Sequence, residues 1–279
     1  MIAEPRNNLA LGLPNTAAEK ERKLKSMLKS MNNVVIAYSG GVDSTYLAHI
    51  ATQEIGADAV CILGISPSLS AHQRNEALDT AEKLGLKLHT IETKEIEESA
   101  YRANAKNRCY FCKSELFAKL LNYAEKNNIL YILDGTNADD LADHRPGRRA
   151  AEDKSVISPL ADLDFSKKEI REMSKLHQLP SWDKPSSPCL SSRIAYGIPV
   201  NIDRLGKIEK AEEILRDLGC REFRVRMHSE IARIELCEDD MPKLYNRDAA
   251  RRVTSELRKL GFKYITFDLE GFRSGALNE

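Results

Sequence analysis

The stretch that most narrows the choice of fold is VVIAYSGGVDSTYLAHI, residues 34–50. VVIAY is a short β-branched run of the kind buried on both faces of a parallel sheet. STYLAHIATQEIG has helical spacing and ends at Gly56. SGGVDS must therefore carry the chain from strand to helix within a few residues. Gly40 and Gly41 allow positive φ and a close approach of backbone to a ligand. The free N–H groups at the helix start, together with its dipole, form an anion site. Ser39 and Ser44 add hydroxyl donors. Asp43 is out of place beside phosphate unless a divalent cation is present, which makes it a candidate Mg²⁺ ligand. The chain has no G-x-x-x-x-G-K-[ST] and no G-x-G-x-x-G, so neither the kinase-type phosphate loop nor a dinucleotide site is expected. A plain glycine turn with a capping serine explains the glycines, but not all six residues with this strand before them and this helix after.

The same alternation continues downstream. A helix from Thr16 to about Met31 opens on the capping box T-A-A-E, after an arm of about 15 residues that reads as loose. AVCILGI is a second strand, and Ser70 caps a helix ending near Gly85. Residues 87–93 form a third strand. CYFCKSELFAKLLNYAEKNN is helical, and YILDGTN is a fourth strand. These features predict an α/β fold, a doubly wound parallel sheet, followed by a smaller α+β domain. SGGVDS and DGTNADD, with Gly135 and Asn137, should share the rim beyond the strand ends, where such sheets bind ligands. Residues 139–160 read as a charged loop, and S-K-K-E at Ser166 caps another helix. The Pro- and Ser-rich run PSWDKPSSPCLSSRIAYGIP reads as a linker or functional loop. The expected domains are 1–180 and 181–279. The second should contain a helix to Leu218, a hairpin-like pair around FRVRMHSEIARIEL, one helix over 243–260 and a strand over 264–269.

Composition limits the partners. The chain has 279 residues, with 42 Lys+Arg against 42 Asp+Glu. A chain built to grip nucleic acid is usually basic, so nucleic acid is unlikely as a partner on this count. No apolar run is long enough to span a bilayer, and the first residues do not resemble a signal peptide. The expected location is the cytoplasm, with the 6 cysteines reduced.

Those thiols are free to pack, to bind metal or to react. Cys189 lies in KPSSPCLSSR, whose Pro185, Ser186, Ser187, Pro188, Ser191 and Ser192 suit an exposed loop. Arg193 beside it can hold phosphate or lower the thiol pKa. An accessible thiol near an activated carboxylate is a candidate nucleophile, although a lone cysteine is usually a core residue. Cys109 and Cys112, three apart at a helix start, share a face near the positive helix end, which favours thiolate. Buried packing, half a zinc site and iron–sulfur ligation compete there. With Cys189 brought close, three thiolates can hold a [4Fe–4S] cluster with one open iron.

SGGVDS after the first strand resembles the PP-loop ATP pyrophosphatases of the adenine nucleotide α-hydrolase (HUP) class. The resemblance implies ATP and Mg²⁺, transfer of AMP to a substrate oxygen, and displacement of AMP by a nucleophile. The longer string NRCYFCK, DHRPG, KSVISPL, KPSSPCLSSRIAYG, AEEILRDLGCREFRVR, IARIEL and GFRSGALNE resembles the LarE family over nearly the whole chain. Its members are ATP-dependent sulfur transferases that convert a pyridinium-3,5-biscarboxylic acid mononucleotide to thiocarboxylates for the nickel-pincer cofactor. The resemblance implies either Cys189 as a sacrificial sulfur donor, left as dehydroalanine, or Cys109, Cys112 and Cys189 as ligands of a [4Fe–4S] cluster whose open iron carries sulfide. The second route is preferred here. The resemblance further implies a catalytic glutamate, placed at Glu212 with Glu213 as the alternative register, and a homo-oligomer, with a separate sulfur donor as a partner of the cluster route. On a strand Arg224 and Arg226 share a face that suits a mononucleotide phosphate, with Arg273 and Arg145 as further candidates. Against this stand a tRNA-thiolating PP-loop enzyme and a nucleotide-sensing protein without catalysis.

Overall fold

The structure is a computed structural model and describes residues 16–142 and 146–273. The arm before Thr16, Arg145 and the final SGALNE lie outside the described residues. The first sheet contains β1 (Val34–Tyr38), β2 (Ala59–Ile65), β3 (Lys87–Glu92) and β4 (Tyr131–Leu133). Its order is β3-β2-β1-β4 and every neighbouring pair is parallel. β2 and β3 step away on one side of β1, whereas β4 returns on the other. The loops after β1 and β4 therefore leave the sheet at a reversal of winding, where such folds open a crevice.

Alternate residues of β1 feed opposite layers. Val34 and Ile36 pack with Leu24, Leu28, Tyr46, Leu47, Ile50 and Ile170, from the helices Ala17–Met31, Val42–Ile55 and Lys167–Leu176. Val35 packs on the other face with Phe117 and Leu120 of the Arg108–Lys126 helix and with Ala150 and Ala151. A second sheet has the order β5-β6-β7: β5 (Phe223–His228), β6 (Ile231–Leu236) and β7 (Tyr264–Phe267). β5 and β6 are antiparallel, and β7 joins β6 in parallel. The helices Ile202–Asp217 and Arg247–Lys259 close its core. That core also takes in Tyr101, with Ile96, Phe111 and Cys112 packed against it.

Several sequence expectations need correction. Residues 139–160 are not a loop: helices span Ala138–Ala142, Pro146–Asp153 and Pro159–Asp162. Charged letters conceal the contact face there, since Ala150 and Ala151 are buried while Arg148 pairs with Glu152 one turn on at 2.9 Å. The strand of YILDGTN ends at Leu133, where the polar loop expected after it begins. The Asp134 carboxylate then accepts from Thr136 N (3.1 Å), Thr136 Oγ1 (2.8 Å) and Ser158 Oγ (2.7 Å), which turns the chain away. The helix expected over 243–260 breaks at Asn246, whose side chain caps the second piece through Asp248 N and Ala249 N. The Pro- and Ser-rich run is only partly exposed. Leu190, Ser191, Ile194 and Val200 are buried, and Ile194 bridges to Met227 of β5.

Candidate active site

The glycine loop is shaped by what packs against it. Gly40 has φ +69, and a Cβ there would lie 2.6 Å from the Ala77 Cβ of the Ala71–Lys83 helix. Gly135 follows β4, and a Cβ on it would meet Ser44 N at 2.8 Å. The glycine loop is thus pressed by the Ala71–Lys83 helix, and the loop after β4 presses on the start of the Val42–Ile55 helix. That helix has Gly41 at its N-cap and no side-chain capping bond, which leaves its first N–H groups for an anion. Ser39 and Ser44 hydroxyls lie 3.0 Å apart across the loop. Asn137 Nδ2 donates to Asp43 Oδ1 at 3.4 Å.

Two lysines that the sequence reading passed over converge on this loop. Lys167 Nζ lies 2.5 Å from Asp43 Oδ2. Lys184 Nζ donates to Gly40 O at 3.3 Å and pairs with Glu76 at 3.0 Å. One helix arranges both contacts. Lys167 opens the Lys167–Leu176 helix, and Arg171, one turn later, donates to the carbonyls of Trp182 and Lys184 at 2.8 Å each. The only hints in the sequence are a lysine after a helix cap and a lysine inside the Pro-rich run.

The chain from Ser181 to Val200 forms a strap that ties the loop to the second core. Gln73 Nε2 donates to Ser187 O at 2.7 Å, and Leu190 N donates to Ser68 O at 2.8 Å. Tyr101 and Ser191 share a hydroxyl contact of 2.6 Å, and Arg108 donates to Ser191 O at 2.9 Å. Buried Asn104 donates to the carbonyls of Ile194 (3.3 Å), Ala195 (2.9 Å) and Ile198 (2.8 Å). Segment 101–108 immediately precedes the C-x-x-C pair, so these bonds tie the start of the Arg108–Lys126 helix to the strap that carries Cys189.

Each of the two thiols of the C-x-x-C pair feels the charge of Cys189. The protein packed around Cys109 raises its thiol pKa although part of the residue reaches solvent; a charge on Cys189 raises it further, against Arg108. Cys112 stands well above the usual thiol range through burial first, then Glu95, Cys189 and Cys109. The helix start was expected to favour thiolate, but desolvation and mutual repulsion outweigh it. Cys189 is half-buried, and its carbonyl accepts from Ser192 Oγ (2.7 Å) and Arg193 Nη1 (3.3 Å). Among the described residues no three His, Cys, Asp or Glu side chains form a group able to hold a metal ion. The [4Fe–4S] cluster expected on Cys109, Cys112 and Cys189 thus has no preformed metal-binding group among the described residues.

Beside the strap lies a cavity of about 340 Å³, lined by His72, Gln73, Lys184, Arg193, Glu212, Arg216, Arg224 and Phe272 among others. Glu212 is 6% exposed and turned inward, whereas Glu213 is exposed. Glu212 accepts from Arg193 Nε (2.9 Å) and Val225 N (3.3 Å). Arg226 is likewise paired, with Glu235 at 3.0 Å, and donates to Ser192 O at 2.8 Å. Arg224 reaches the Ser186 carbonyl at 2.6 Å and lies 4.8 Å from the centre of the Phe272 ring. Burial, and then the charge of Arg193, brings its guanidinium down to about 10, against the opposing pull of Glu212. Arg273 pairs with Glu270 at 2.5 Å.

An uncapped helix start under a glycine loop, at the switch point of a parallel sheet, has the form of an anion site, and the chain is an enzyme of the PP-loop ATP pyrophosphatase family. A family model described as NAD synthase matches residues 16–139. An uncharacterised protein of Synechocystis sp. is 41% identical over 93% of this chain and 97% of its own length. The pyridinium-3,5-bisthiocarboxylic acid mononucleotide synthase of Lactiplantibacillus plantarum is 34% identical over 95% of each chain. A tRNA-specific 2-thiouridylase of Thermoanaerobacter sp. is 28% identical over 61% of this chain and 58% of its own. On the second of these similarities the chain belongs to the LarE family. Among the described residues no helix is long and apolar enough to cross a membrane.

Proposed function

We propose that the chain uses Mg-ATP to adenylate the carboxylates of pyridinium-3,5-biscarboxylic acid mononucleotide and converts them to thiocarboxylates during nickel-pincer cofactor synthesis. The carrying observation is the strap, which sets Lys184 on the glycine loop and bonds the turn after Cys189 to Tyr101 and Arg108, just ahead of the C-x-x-C pair. Residues 1–180 act as the ATP domain and 181–279 as the substrate domain. Ser39, Gly40, Gly41, Ser44, Gly135 and Asn137 hold the nucleotide. Asp43 fits Mg²⁺, since its carboxylate already draws a cation to the mouth of the loop. Arg224 takes the substrate phosphate, with Arg193, Arg226 and Arg273 around it. In the cytoplasm the chain acts as a homo-oligomer, as the family resemblance implies.

A substrate carboxylate oxygen attacks the α-phosphorus, the bond to the bridging oxygen breaks, and pyrophosphate leaves with the electron pair. Sulfur then attacks the acyl carbon and AMP leaves. If Cys189 is the nucleophile, a thioester forms. Glu212, joined to the Cys189 backbone through the Arg193 guanidinium, removes the Cα proton. The Cβ–S bond breaks towards sulfur, leaving a thiocarboxylate and dehydroalanine. Cys109, Cys112 and Cys189 also fit the donor set of a [4Fe–4S] cluster, which when bound supplies sulfide at an iron the protein leaves open, with Cys189 as ligand. That route is preferred because the family resemblance puts Cys109 and Cys112 where members with a further C-x-x-C carry it.

The second reading, tRNA thiolation, is favoured by the thiouridylase similarity and opposed by the balanced charge. The test is anaerobic turnover with Mg-ATP and the mononucleotide, followed by assay of AMP, pyrophosphate, iron, sulfide and intact mass. AMP and pyrophosphate should form only with the substrate. Unchanged mass with bound iron supports the cluster, and loss of one sulfur at residue 189 supports sacrifice. Formation of ADP, or full activity in Cys189→Ala, defeats the proposal.

A further inference from the structure

Lys184 occupies a place that no role above accounts for. Its Nζ donates to the carbonyl of Gly40, inside the loop that receives ATP, at 3.3 Å. The same residue lines the arginine-bearing cavity on the other side of the strap. The Ala71–Lys83 helix joins the two spaces, because Ala77 packs on Gly40 while Glu76 pairs with Lys184 at 3.0 Å. The side chain is 18% exposed, and Arg171 pins its backbone carbonyl at 2.8 Å. A half-buried ammonium on an anchored backbone, held by one half-exposed carboxylate and one neutral carbonyl, has partners that a phosphate can replace.

We propose that Lys184 is a catalytic residue which grips the α-phosphate of ATP and the carboxylate that attacks it. The inference rests on the adenylation reading above and deepens it. On nucleotide binding Nζ leaves Glu76 and the Gly40 carbonyl for the α-phosphate oxygens. There it screens the charge of the incoming carboxylate from that of the phosphate and stabilises the five-coordinate phosphorus. The carboxylate oxygen bonds to phosphorus as the bridging oxygen departs with pyrophosphate, and no proton is transferred. Asp43 with its cation faces the departing pyrophosphate, and Lys184 the acyl side.

Two measurements test this. Calorimetry with AMP and adenosine reads contact with the α-phosphate whatever the acceptor. The wild type should prefer AMP, and Lys184→Gln should lose at least about tenfold of that preference. Lys184→Arg should recover part of it. Glu76→Gln, which frees the ammonium, should bind AMP at least as tightly as the wild type and guards against a folding defect in the lysine variant. Pyrophosphate–ATP exchange with the pyridinium mononucleotide reads the chemical step and should fall about a hundredfold or more in Lys184→Gln. An unchanged preference for AMP over adenosine in Lys184→Gln overturns the proposal. If the wild type shows no substrate-dependent exchange while the variant still loses its AMP preference, the acceptor is wrong and the phosphate contact stands.

Discussion

At the scale of single residues, Glu212 shows how far sequence reasoning reaches. Two adjacent glutamates on a helix cannot be told apart without a register. The structure turns one inward to the Arg193 guanidinium and leaves the other in solvent. Pyrophosphate release requires no proton removal from Cα, whereas elimination from a thioester does. Glu212→Gln keeps the shape and the hydrogen-bonding oxygen. On the route that consumes the Cys189 sulfur it should therefore release pyrophosphate within about threefold of the wild type while thiocarboxylate formation falls about a hundredfold or more. A protein-bound thioester should then accumulate, visible as an adduct in the intact mass. On the cluster route both activities should stay close to the wild type. Equal loss of both activities would assign Glu212 to shaping the cavity. Asp43, Gly40 and Gly41 were legible because one short motif contains both the turn and its chemistry. Lys167 and Lys184 were not, because their importance comes from where two other segments fold back, at Asp43 and at Gly40.

Among the elements, the parallel strands and their helices were legible from period and caps: β1, β2 and β3 fall where the β-branched runs lie. The Ser181–Val200 strap was not. Its Pro and Ser content reads as solvent-exposed, and Pro185 to Pro188 are exposed, yet the next residues enter the second core. What buries them is the amide of Asn104, about 90 positions away in sequence. No local pattern announces such a contact. Asn104 also has φ 54, which alanine adopts poorly. Asn104→Ala should therefore cost roughly 3 kcal/mol, from the orphaned carbonyls of Ile194 and Ile198, the Ala195 carbonyl keeping its bond from Ile198 N, and from the strained backbone. Urea unfolding should show a lower midpoint, and Cys109 should react faster with iodoacetamide in the folded protein. Unaltered thiol reactivity would mean that the strap is held by other means.

For the molecule as a whole, the pattern of buried charge predicts how it responds to acid. Burial lowers the pKa of His49 and His228, helped by the positive charges of His177 and Arg233 respectively. The unfolded chain protonates these side chains near pH 6.5, the folded chain only below that. The stability they contribute is complete above about pH 6.5 and declines as pH falls. Glu21 lies lower in pH: burial raises its pKa, but Lys25, His177 and Tyr46 together outweigh burial. Asp240 behaves alike, with burial overcome by Lys243 and the Arg221 amide, and reaches about 2. Both are depressed carboxylates, so their contribution is present above the ordinary carboxylate range and is lost as they protonate. The urea midpoint should fall from pH 7 to 5.5 and more steeply below about 4.5. A midpoint that rises on acidification would contradict these assignments. Position 189 illustrates a different economy. The hydrogen bonds that fix it run through its carbonyl oxygen, to Arg193 and Ser192, and not through sulfur. Were Cys189 the sulfur donor, a copy stripped of that atom would keep its shape, expose no new greasy surface and give chaperones and proteases nothing to recognise, so exhausted and fresh molecules would persist side by side and compete for the same nucleotide.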